Sequence, residues 1–136
     1  MRALSLLLPA IAMAAALDCM AGDFDGSKPF LCATADVSSC APGQSCDRES
    51  TQTVNAPPFF VVDVPKKLVS EAGTTTAKRT STIDHVEHQS GLLLLSGIDG
   101  AQGWTASVGE QNGKLSYAVI GDRMAVVAFG SCVMKP

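Results

Sequence analysis

The sequence predicts an all-β domain, an antiparallel meander closing into a small barrel or sandwich and stapled by disulfides. Three observations lead there. Apolar and polar residues alternate with a period of two through the second half of the chain. Turn dipeptides recur at the short spacing typical of small barrels and sandwiches. Four cysteines, Cys32, Cys40, Cys46 and Cys132, bracket almost all of the domain.

The chain opens with "MRALSLLLPAIAMAAALDCMAG", in which Arg2 precedes an uncharged run from Ala3 to Leu17 and then small residues. This is the pattern of a secretory signal peptide, too short for a membrane span. Cleavage after Ala16 or after Ala21 fits the small-x-small rule. The later cut divides the chain into a leader, 1–21, and a single domain, 22–136. It also removes Cys19 and leaves an even number of cysteines, as an oxidising compartment favours.

Strands are expected from Phe30 to Val37 and from Asp47 to Thr53, with a turn at Pro42-Gly43 between them. "PPFFVVDVPKKLVSE" reads as a hairpin turning at Pro65 and the two lysines, and Pro57-Pro58 marks its start. The stretch from Ala72 to Thr82 has no large apolar residue and reads as a mobile hairpin loop that adds nothing to the core. "STIDHVEHQSGLLLLSGI" is a second hairpin, turning at Gln89-Ser90-Gly91. Then Trp104, Ala106 and Val108 share one face of a strand, and Asn112-Gly113 supplies a turn. Leu115, Tyr117 and Val119 follow, and Gly121-Asp122 turns again. Met124 to Phe129 forms the last strand, whose unbroken apolar run suggests cover on both faces or the wall of a closed barrel.

Cys32, Cys40, Cys46 and Cys132 allow three pairings. Each pairing ties Cys132 to the first part of the fold, because only one cysteine stands near the C-terminus. In the chain-entropy description a loop that long contributes roughly 4 kcal/mol. Zinc is disfavoured by separations of eight and six residues within the cluster and by the lack of a nearby histidine. Redox catalysis lacks its Cys-x-x-Cys.

Net charge is −3 and no basic run exceeds the pairs Lys66-Lys67 and Lys78-Arg79, which argues against nucleic acid as a partner. "DHVEH" holds Asp84, His85, Glu87 and His88, all of them metal-ligand types. On a strand, however, His85 and His88 point to opposite faces, so no metal site is assigned. "DFDGSKPF" has the start of a calcium loop, but Thr34 stands where the closing glutamate is needed. No Gly-x-Ser-x-Gly elbow occurs, no catalytic residue is assigned, and no cofactor is implied. Trp104, Tyr117 and Phe129 are the candidates to line a ligand cavity inside a barrel.

The segments "FDGSKPFLCA", "CAPGQSC", "APPFFVVDV", "GW" and "AFGSC" resemble a group of small secreted proteobacterial proteins of uncharacterised function. The resemblance spans Phe24 to Cys132 and implies that Cys32, Cys40, Cys46 and Cys132 form the family's set. Looser is the similarity to periplasmic lysozyme inhibitors, also small disulfide-tied β-barrels. Where their inhibitory loop is polar, "QSGLLLLSG" here carries leucines. Together these readings give the expectation of a periplasmic or secreted binding protein, not an enzyme, with a small apolar ligand or a periplasmic protein as its partner. Inhibition of a cell-wall enzyme such as lysozyme is the alternative, and a small hydrolase the third.

Overall fold

The computed structural model of the chain describes residues 23–73 and 78–135. The leader and both of its candidate cleavage sites lie outside the described residues, as does the middle of the stretch from Ala72 to Thr82. Among the described residues there are ten strands and no helix. They are β1 (Phe30–Cys40), β2 (Asp47–Glu49), β3 (Phe59–Asp63), β4 (Leu68–Glu71), β5 (Thr80–Thr82), β6 (His85–Gln89), β7 (Leu92–Asp99), β8 (Gln102–Gly109), β9 (Lys114–Ile120) and β10 (Ala125–Met134).

Nine strands form one antiparallel sheet in the order β5-β4-β3-β1-β10-β9-β8-β7-β6, and the short β2 adds to β1. The sheet curls into a half-barrel. Its two edge strands are consecutive in the chain, and the residues between them join the edges. Ile83 N–H donates to the Lys67 carbonyl beyond β4 at 2.9 Å, and Asp84 N–H donates to the Ser96 carbonyl of β7 at 2.9 Å.

Side-chain alternation fills the concave face. β3 contributes Phe60 and Val62, β7 Leu93 and Leu95, β8 Val108, β9 Leu115, and β10 Val126, Ala128 and Cys132, all buried. β1 needs an irregularity to join them. Phe30, Cys32 and Thr34 point inward, then the register against β10 shifts between Thr34 and Asp36. The extra residue, Ala35, reverses the parity, so that Val37 is buried too. Opposite this bulge lies Gly130, where an added Cβ would come within 1.9 Å of the Ala33 carbonyl oxygen.

The turns follow the sequence closely. Ser90 and Gly91 have φ of 52° and 79°, the two left-handed residues of a tight hairpin turn. Lys67, with φ of 52°, closes the β3–β4 turn. At the β8–β9 turn the left-handed residue is Gly113, with φ of 65°, where a Cβ would strike the Phe24 ring. Phe24 plugs this end of the half-barrel and meets Phe30 edge-on, with ring centroids 5.7 Å apart. Next to it, the Ser27 hydroxyl and N–H donate to Asp25 and hold its carboxyl below the ordinary range. The acidic start of the domain is thus a self-satisfied turn.

Three expectations need correction. The strand starting at Asp47 stops at Glu49, and residues 51–55 form a turn that ends with Asn55 at φ of 54°. The stretch from Ala72 to Thr82 is not all loop: its last three residues are β5, pinned because Trp104 Nε1–H donates to Ser81 Oγ at 2.8 Å. The last strand runs on to Met134 and is covered on one face only. Its outward residues Phe129 and Val133 are 53% and 58% exposed, because among the described residues no second layer lies on the convex side of the sheet.

Candidate functional site

Two disulfides hold the frame. Cys32 and Cys132 face each other in the β1–β10 ladder with Cα atoms 4.0 Å apart, and their bridge spans 100 residues of sequence. Cys132 N–H donates the other way, to the Gly113 carbonyl at 2.8 Å, so the two cysteines form a non-hydrogen-bonded pair, the closer kind of cross-strand neighbour. Cys40 and Cys46 close the tight β1–β2 connection. Cys132 therefore joins the last strand to the first.

The half-barrel is solid at one end and open at the other. Around Phe24, Phe30 and the Cys32–Cys132 bridge the side chains interlock. Toward the other end they part to leave a cavity of about 190 Å³. That is below the roughly 300–1,000 Å³ of pockets that take drug-sized molecules. It is on the scale of dry apolar cavities of about 150 Å³ that accept a benzene ring. Its walls include Phe60, Leu95, Trp104, Tyr117 and Val126, and its rim carries Asn55, Arg79, Asp99 and Gln102.

Trp104 and Tyr117 stand on β8 and β9, inward-facing positions that the alternation of those strands fixes. Gly97, opposite Trp104 on β7, makes room for the indole: a Cβ there would lie 2.8 Å from the ring and 2.3 Å from the Thr82 carbonyl oxygen. The indole N–H is spent on Ser81, so Trp104 presents carbon to the cavity. Tyr117 Oη lies 3.1 Å from Thr34 Oγ1, whose own proton goes to the Pro57 carbonyl at 3.0 Å. The phenol is therefore the donor to Thr34. Burial pushes its pKa above the ordinary range, partly offset by the Arg79 charge. Phe60 meets the Tyr117 ring edge-on at 5.8 Å.

Phe129 does not belong to this site. It shares a strand with Val126 and Ala128 but has the opposite parity, and it points from the convex face toward solvent. In its place the structure brings Arg79 to the rim. That guanidinium donates from Nε to Glu71 Oε2 at 3.2 Å and from Nη1 to the Asn55 carbonyl at 2.7 Å. Sequence reasoning had no signal for Arg79, which lies in a stretch without alternation, and it read Ser81 only as the start of a hairpin strand. Phe60 lies in "FFVV", whose four successive apolar residues carry no parity.

The "DHVEH" cluster is spread along the exposed edge strand β6. His88 Nδ1 lies 2.5 Å from Glu110 Oε1. His85 is on the other face, paired across the ladder with Ser96. Asp84 and His85 border a shallow outer depression with Ser96, Gly97 and Ile98, where Asp84 Oδ2 accepts the Ile98 N–H at 3.1 Å. Among the described residues, no three His, Cys, Asp or Glu side chains gather as a metal site, and no helix is long and apolar enough to cross a membrane. "QSGLLLLSG" forms the β6–β7 turn and most of β7, with Leu93 and Leu95 in the core. No protein-family model, no curated protein and no solved structure matches this chain.

Proposed function

We propose that this protein works in the periplasm or outside the cell as a non-enzymatic binding protein, holding a small apolar ligand in the cavity beneath Trp104 and Tyr117. One observation carries the reading. The concave face is filled at one end and lined but unfilled at the other, where the N–H of Trp104 and the O–H of Tyr117 already have partners. An apolar guest there displaces no hydrogen bond. The volume suits a single ring or a short branched chain better than a long acyl chain. Two disulfides in a chain of this size, together with the leader-like start, support the extracytoplasmic assignment.

The test uses the one tryptophan of the chain as a reporter. Titrating purified protein with monocyclic aromatics and short aliphatic compounds should shift Trp104 emission saturably. Ala106→Phe, which fills the cavity from the β8 wall without adding a second indole, should abolish the shift for every compound. A Trp104 signal indifferent to the whole panel would end the reading. The second reading, a protein partner such as a cell-wall enzyme, draws on the outward aromatic residues Phe59 and Phe129, 50% and 53% exposed. Inhibition of lysozyme by the purified protein, lost in a Phe59→Ser, Phe129→Ser variant, would support it.

A further inference from the structure

From Thr80 to Gln89 the chain runs as two strands end to end, joined at Ile83-Asp84. The upper one, β5, gives one side to β4, and its Thr82 carbonyl packs against Gly97 of β7. The lower one, β6, pairs with β7 through five consecutive residues without a register shift. On the side that β5 gives to β4, β6 has no strand beside it among the described residues, because the β3–β4 hairpin ends at Lys67. All five β6 residues are exposed. Edge strands are ordinarily blocked by lysine, proline or a bulge. The sequence His85-Val86-Glu87-His88-Gln89 carries none of these.

The sequence of this edge is its own charge complement. Reversed against itself about Val86, Asp84 meets His88, His85 meets Glu87, and Val86 meets Val86. A dyad at Glu87 would instead oppose two carboxylates, and one between Val86 and Glu87 would oppose His85 to His88. Only the Val86 register sets opposite charges at every step when the histidines are protonated, and it covers Val86, which is 38% exposed. We propose that β6 is the interface of a homodimer in which two copies pair antiparallel about Val86, extending the sheet from one molecule into the next, with His85 and Glu87 of each copy in contact with the other.

Histidine changes charge between about pH 5 and 8, so association strengthens as pH falls. The groups around His85 are Asp84, Glu87 on the same face, and the uncharged Ser96 across the ladder on β7. Around His88 they are Glu110 at the β8–β9 turn and Asp25 in the N-terminal turn, whose carboxyl feels the His88 charge. His88 already has an acidic partner, so His85 with Glu87, present twice by symmetry, supplies most of the pH dependence.

Sedimentation of the purified protein up to about 1 mM, the range in which weak dimers show, provides the test. A monomer–dimer equilibrium is expected near pH 5.5, weakened roughly tenfold or more near pH 8.5. Glu87→Lys should weaken association roughly tenfold or more near pH 5.5, since like charges then face each other across the dyad. Adding His85→Glu to that variant should restore the dimer and remove most of the pH dependence. Both positions are exposed, and an unchanged near-ultraviolet dichroism spectrum certifies the fold of each variant. A protein monomeric at both pH values, a dimer indifferent to Glu87→Lys, or a double variant that stays monomeric would each overturn the proposal.

Discussion

Tyr117 shows how one side chain serves both the fold and the cavity. Its ring forms cavity wall, its hydroxyl is tied through Thr34 to the Pro57 carbonyl, and burial raises its pKa from 10.0. In the unfolded chain the phenol ionises at its ordinary value, so above that pH the unfolded state holds fewer protons than the folded one. Stability contributed by Tyr117 is thus fully present below about pH 10 and declines as pH rises from there through the folded-state value. Because this is the one tyrosine of the chain, ultraviolet absorbance during an alkaline titration reads it directly. The expected outcome is a midpoint above that of free tyrosine, falling back to it in denaturant. Trp104 and Tyr117 were legible as inward residues because their strands alternate cleanly. Phe129 was not, since "VVAF" is apolar at four successive positions and carries no parity.

At the scale of the strands, the irregular places were the hidden ones. β8 and β9, with the turn between them, were read from spacing alone, and so was the β6–β7 turn. The bulge at Ala35 was invisible because either face of "TADVSS" offers small or polar residues. Its consequence is concentrated at Gly130, which sits where the two chains come too close for a side chain. Gly130→Ala should cost about 3 kcal/mol, at the upper end for overpacking, since the atom it meets is backbone and cannot rotate away. A urea-unfolding midpoint measures this. β5 was half legible for a different reason: Ser81 and Thr82 were read into the first strand of the β6–β7 hairpin, because the three residues of β5 have no pattern of their own and are held by Trp104, more than twenty positions away. Tertiary contact, not local propensity, makes that strand.

For the whole molecule, the two disulfides act on very different lengths of chain. In the chain-entropy description, the bridge spanning 100 residues should contribute about 4–5 kcal/mol and the one spanning six residues about 2. Replacing Cys32 and Cys132 by alanine should therefore lower the unfolding free energy about twice as much as replacing Cys40 and Cys46. Paired chemical-denaturation curves, each extrapolated with its own slope, check the ratio. That Cys132 must join the first part of the fold was plain from counting, whereas its choice of Cys32 was decided by strand register.

β1 lies between β3 and β10, which makes the first long strand and the last one neighbours in the middle of the sheet. No fragment that ends before β10 holds a finished half, because β1 stays without one of its partners until β10 is present. Folding of the sheet therefore waits for β10. A chain with that property stays threadable until then, and it becomes a locked object only once β10 has reached β1.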